Sequence, residues 1–115
     1  MRQSLSVVLE RNTTLSGGFT TEPYEVAWAR EARWFVRVLE LSEETRLSAT
    51  IQISPDGLHW CDLDVHQIRL SERGMATTPA REFGGWLRLK GEVTGASGSD
   101  SKATAKVLIY LVLKD

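Results

Sequence analysis

Apolar and polar side chains alternate along most of this chain, and turn-forming residues break the alternation at short intervals. Such a pattern suits a pleated strand with one face buried and excludes a fold built on helices. Leu47, Ala49, Ile51 and Ile53 point one way while Ser48, Thr50 and Gln52 point the other. Leu5, Val7 and Leu9 alternate with Ser6, Val8 and Glu10 in a first strand, and Tyr24 to Trp28 follows Glu22-Pro23 as a second extended piece. Val26 to Leu41 is ambiguous, because Ala27, Ala29 and Ala32 suit a helix that would align Trp28, Phe35 and Leu39. The aromatic and β-branched run Trp34-Phe35-Val36-Arg37-Val38-Leu39 decides for strand from Trp34 onward.

Ser42-Glu43-Glu44-Thr45 reads as a hairpin connection. Ser54-Pro55-Asp56-Gly57 reads as a tight reversal, with proline presetting φ and glycine accepting a positive one. Trp60 to Val65 and Gln67 to Leu70 are short strands, and Pro79 with Gly84-Gly85 brackets an irregular piece. Trp86 to Lys90 is a strand with Leu87 and Leu89 inward. Gly95 to Ser101 is a small-residue loop expected to be mobile, and Ala103 to Leu113 is the last strand. The expectation is one all-β domain over 1–115: a two-sheet antiparallel β-sandwich, jelly-roll-like, of eight or nine strands, with an open barrel as the lesser option.

Ile51-Gln52-Ile53-Ser54-Pro55-Asp56-Gly57-Leu58-His59-Trp60 resembles a strand-turn-strand signature of discoidin-like, galactose-binding jelly rolls, in which a Ser-x-Asp-Gly turn is followed by a tryptophan. With a strand like Gly85 to Leu89 and an apolar last strand like Val107 to Leu113, it also resembles small β-sandwich proteins of tailed-phage particles. The resemblance implies the fold and a structural role. It carries no binding residues across, and the cysteine pair of a discoidin domain is missing.

Charge and composition narrow the function. Fourteen Lys and Arg against fifteen Asp and Glu give a net charge of −1 with the signs interspersed, so nucleic acid is not an expected partner. Val107 to Leu113 is the longest apolar run, much shorter than the ~20 residues of a spanning helix, and no membrane partner is expected. Cys61 is the sole cysteine, which favours the cytoplasm or a particle assembled there. No secretory signal is recognisable in the first residues.

No nucleophile elbow, phosphate loop or convergent carboxylate pair is legible, so no catalytic residue and no cofactor is expected and the chain is read as not an enzyme. His59 to His66 gathers both histidines, Cys61, Asp62 and Asp64. Asp62, Asp64 and His66 would project from one strand face about 7 Å apart, too linear for a compact metal shell, so a solvated face with Cys61 and Leu63 inward is preferred and no metal is assigned. Trp86, Trp60 and Tyr24 are candidates for stacking on a sugar ring, the alternative function being a carbohydrate-binding module.

One pattern is unusual. Ala105, Val107, Ile109, Leu111 and Leu113 fill one face of the last strand, yet Leu108, Tyr110 and Val112 fill the other. Trp34, Val36 and Val38 against Phe35, Leu39 and Leu41 repeat this two-sidedness. A sheet in a two-layer sandwich needs only one apolar face. The second is expected to be covered by another molecule, or else by Asn12 to Pro23 or Glu72 to Phe83 of the same chain. Phe35, Leu39, Leu108, Tyr110 and Val112 are therefore the candidate interface of a structural subunit that self-associates or docks on a larger protein particle.

Overall fold

The computed structural model describes residues 4–63, 67–95 and 103–115. Ten strands are found among them: β1 (Ser4–Leu15), β2 (Gly17–Thr20), β3 (Tyr24–Glu25), β4 (Glu31–Leu41), β5 (Thr45–Ser54), β6 (Cys61–Asp62), β7 (Ile68–Leu70), β8 (Gly74–Ala80), β9 (Trp86–Gly95) and β10 (Ala105–Lys114). They form two antiparallel sheets. One has the order β1-β10-β4-β8, and the other β2-β9-β5-β6, with β3 also on β9 and β7 also on β5.

The strand count exceeds the expected eight or nine because two strands are interrupted. Between β2 and β3, Thr21 keeps the chain on β9: its N–H donates to Leu89 O and its Oγ1 accepts from Leu89 N, both at 2.9 Å. Taking β2 with β3 and β6 with β7 leaves eight, ordered 1-8-3-6 and 2-7-4-5, in which first and last strands are neighbours. That is the jelly-roll arrangement of two nested Greek keys.

The strongest alternations give the core. Leu47, Ala49 and Ile51 of β5, Leu87, Leu89 and Val93 of β9, Trp34, Val36 and Val38 of β4, and the odd-numbered residues from Ala105 to Leu113 of β10 are all buried between the sheets. Alternation places them there, since a shift of one residue would expose the whole set.

Four expectations need correction. Ser42 to Thr45 is not a hairpin: β4 pairs with β10 and β8, and β5 lies in the other sheet, so this segment arches across the core. Side-chain hydrogen bonds hold the arch, with Ser42 Oγ bonded to Thr45 Oγ1 and accepting from Thr104 N at 2.9 Å. Pro79 lies within β8, where the sheet edge tolerates a residue that lacks an N–H. Leu41 belongs with the core, because a bulge at Leu39 shifts the β4 register between Lys106↔Glu40 and Val107↔Val38. Cys61 is exposed on the two-residue β6, while Leu63 does pack on the core. The mobile loop expected at Gly95 to Ser101 lies outside the described residues beyond Gly95, which ends β9.

Candidate functional site

The outer faces of the two sheets differ in kind. On the β5–β9 sheet the outward side chains are mostly polar, with Ser48, Thr50 and Gln52 on β5 beside Glu92, Lys90 and Arg88 on β9, and Trp86 and Trp60 lie at one end of this face. On the other sheet the outward residues of β10 are Lys106, Leu108, Tyr110, Val112 and Lys114, and its core-facing neighbours are fully buried. Val8, Tyr110, Phe35 and Thr77 form one row across the four strands. Leu108 lies beside Arg37 and Val112 beside Arg33, while Met75 and Pro79 extend the rows onto β8.

All five candidate interface residues share this side. Phe35, Leu39, Leu108, Tyr110 and Val112 are half-buried by their lateral neighbours, and none is among the side chains packed on the core. Val8 and Met75, which the sequence reading did not include, are 37% and 61% exposed on the same surface. Alternation already sets Val8 opposite Leu5, Val7 and Leu9, but its place beside Tyr110, like that of Met75 on β8 beside Arg37, is visible only once pairing is known. The two segments considered as covers are engaged elsewhere: Asn12 to Pro23 ends β1 and forms β2, and Glu72 to Phe83 contains β8. The two sheets take up every strand among the described residues, leaving no third layer. At the Val112 end the face opens into a concavity of about 690 Å3, lined by Phe35, Val112, Arg30, Arg33, Arg81 and Lys114 among others.

The stacking candidates do not converge. Trp60 carries the Arg88 guanidinium 4.3 Å above its ring centroid. Arg88 Nε donates to Gln52 Oε1 at 2.8 Å, and Gln52 Nε2 donates to Asp62 Oδ1 at 2.9 Å, so this cluster closes on itself. Trp86 lies against the reversal, where a Cβ on Gly57 would come within 3.1 Å of its Cε2. Tyr24 pairs with the core-facing Leu87 and packs on the core, on the opposite side of the sheet from Trp86. Of the metal candidates, Asp62 bonds to Gln52, and Asp64 and His66 lie outside the described residues.

The Ser54-Pro55-Asp56-Gly57 reversal does form, with Gly57 at φ +79°. Ser54 Oγ accepts from Gly57 N at 2.8 Å, and Asp56 Oδ1 accepts from Leu58 N at 2.8 Å and His59 N at 2.9 Å. Asp56 Oδ2 meets His59 Nδ1 at 2.7 Å. The His59 backbone N–H, then the His59 ring and the Leu58 N–H, hold the Asp56 carboxyl well below its ordinary value of 3.8. Its contribution to stability is therefore present above that ordinary value and is lost as pH falls toward the lowered one. Asp56→Asn is expected to melt a few degrees below wild type at neutral pH, with the gap closing below about pH 4, as read by thermal denaturation across a pH series.

No family model matches the chain, and no curated protein does. Among solved structures it is similar to the PBSX exported protein XepA, with a TM-score of 0.68 and 8% identity over 95% of this chain and 36% of that one. It is similar to the SPBc2 prophage-derived protein YomS, with a TM-score of 0.64 and 10% identity over 100% and 96% of the two chains. A third likeness is to a chain of the infectious bursal disease virus Gt strain, at a TM-score of 0.60 and 9% identity over 98% and 32%. The chain thus spans nearly all of YomS and about a third of the other two. TM-scores of 0.60 to 0.68 at such low identities show a shared β-sandwich fold and nothing finer. The phage-type side of the sequence resemblance is met at that level, and the discoidin-like side is not shown.

Proposed function

We propose that this protein is a non-enzymatic structural subunit that self-associates or docks on a larger protein particle of the phage-virion type, assembled in the cytoplasm, through the outer face of the β1-β10-β4-β8 sheet. The observation that carries the reading is the contrast between the two outer faces: one mostly polar, its Trp60 and Trp86 lying against Arg88 and Gly57 of the same chain, the other centred on Phe35, Leu108, Tyr110 and Val112. A monomer in water gains nothing from a second apolar face, whereas burying ~400 Å2 of it on a partner is worth on the order of 10 kcal/mol before association costs. The fold likeness to prophage-derived and virus proteins agrees with this role without specifying it. The carbohydrate-binding alternative has less support, because Trp60 is covered by Arg88, Trp86 lies against Gly57 and Tyr24 packs on the core, so the three rings do not form one platform.

Light scattering tests the reading. Wild type at high micromolar concentration is expected at a multiple of the chain mass, and Tyr110→Asp at the mass of one chain with its thermal midpoint kept. A monomeric wild type, or an oligomer indifferent to Tyr110→Asp, would sink it.

A further inference from the structure

The apolar face carries charges at both ends, and their placement selects one partner and one orientation. On β10, Lys106 and Lys114 bracket Leu108, Tyr110 and Val112, while on β4 Glu40 is the register partner of Lys106 and Glu31 that of Lys114. Neither lysine closes an ion pair with the glutamate beside it; among the described residues the ion pair found is Asp56–His59. The face is therefore nearly a palindrome about the Tyr110↔Phe35 row: β10 has cationic ends, and β4 has anionic ends with Arg33 and Arg37 set symmetrically inside them, where the axis chosen below would lay them over the partner's Val112 and Leu108.

Two copies laid face to face are related by a two-fold axis in the plane between them. An axis across the strands would put Lys106 over the partner's Lys114 and Glu31 over the partner's Glu40, with like charges opposed at every corner. An axis along the strands and centred on β10 would set each lysine over its own copy. An axis along the strands, midway between β10 and β4, places β10 of one copy over β4 of the other. Lys106 then meets the partner's Glu40 and Lys114 meets the partner's Glu31. Tyr110 lies over the partner's Phe35, so four aromatic rings meet at the centre.

Aligned sheets pack ~10 Å apart with strands crossing at about 30°, so facing strand ends separate by several ångströms, which lies within the reach of lysine and glutamate stems. Four strands of ~4.8 Å spacing and ~30 Å length offer about 600 Å2 per copy. The pair would bury roughly 1,200 Å2, the lower bound of a stable specific interface.

Resting on the assembly reading above, we propose that the partner of this face is a second copy of the chain, seated on the two-fold axis that runs between β10 and β4, with Lys106 and Lys114 of each copy over Glu40 and Glu31 of the other.

Charge exchange tests this. Lys106→Glu with Lys114→Glu in one chain makes four carboxylate–carboxylate contacts across the pair, and Glu31→Lys with Glu40→Lys in another makes four amine–amine contacts. Each variant alone, confirmed folded by circular dichroism, is expected to dissociate with a Kd raised about 100-fold or more in light scattering or sedimentation. Mixed one to one, the two are expected to recover the dimer, as should a single chain carrying all four changes. A wild-type dimer whose charge variants stay paired, or do not recover on mixing, overturns this orientation while leaving the assembly reading standing if Tyr110→Asp still separates the copies. A wild-type monomer overturns both.

Discussion

Trp34→Ala is expected to destabilise the chain by about 3–5 kcal/mol, against total stabilities of roughly 5–15 kcal/mol for domains of this kind. Trp34 is fully buried and is the largest of the fully buried side chains. It sits at the centre of its sheet, with Leu111 of β10 on one side and Thr78 of β8 on the other. Its two register partners, Leu111 and Thr78, are both smaller than the indole whose space they would have to fill. Its Nε1 has no hydrogen-bond partner, so Trp34→Phe removes a buried N–H that is itself unfavourable, offsetting part of the lost packing. Urea denaturation should therefore rank wild type, phenylalanine and alanine in that order, with phenylalanine much the nearer to wild type. Equal losses for the two variants would mean that the indole is not enclosed.

This variant also sharpens the reading of the outer face. Trp34 faces the core and Phe35, the next residue, faces out. Any loss of association in Trp34→Ala is expected together with a lowered thermal midpoint, whereas in Tyr110→Asp it is expected with the midpoint kept. The comparison separates a collapsed sheet from an intact sheet whose surface no longer fits a partner.

The two-sided strands were legible in the sequence because alternation reports the facing of every residue once the element is known to be a strand. Leu108, Tyr110 and Val112 could be assigned to one face of β10 without coordinates, and the Ser54 to Gly57 reversal could be placed from proline and glycine alone. Pairing was not legible, since it depends on contacts between residues far apart in sequence. The Ser42 to Thr45 arch looks locally like a hairpin, and only the partners of β4 and β5 show that the chain changes sheets there. β8 escaped notice because Gly74-Met75-Ala76-Thr77-Thr78-Pro79-Ala80 has small residues and a proline where alternation would be expected, features an edge strand tolerates. The Leu39 bulge reversed the facing of Leu41 for a related reason: one inserted residue changes every assignment after it. For the same reason the charge palindrome on the outer face was out of reach, because Lys106 and Glu40 become neighbours only through register.

Gly91→Ala is the other substitution expected to be severe, at a position where strand propensity alone would favour the change. Gly91 lies mid-strand in β9, between Phe19 of β2 and Ala49 of β5. A Cβ there would fall 2.4 Å from Ser48 O and 2.6 Å from Phe19 Cζ. The phenylalanine ring is a half-buried side chain on the edge strand β2, but the carbonyl belongs to the β5–β9 ladder, which runs from Thr45↔Gly95 to Ser54↔Trp86. Relief of that contact requires the two central strands to part, so a loss of about 1–3 kcal/mol or more is expected, with a thermal midpoint lower by roughly 5–20 °C. Gly18→Ala is the matched control. Gly18 lies on the edge strand β2 opposite Glu92, its nearest outside atom would be 4.0 Å from a new Cβ, and its φ is not positive, so its effect should be small and stabilising if anything. Adding Phe19→Ala to Gly91→Ala should recover only the part of the loss that comes from the ring, since Ser48 O stays in place. Should Gly91→Ala melt within about a degree of wild type, the close approach of β5 to β9 at this point, and with it the central pairing of that sheet, would be wrong.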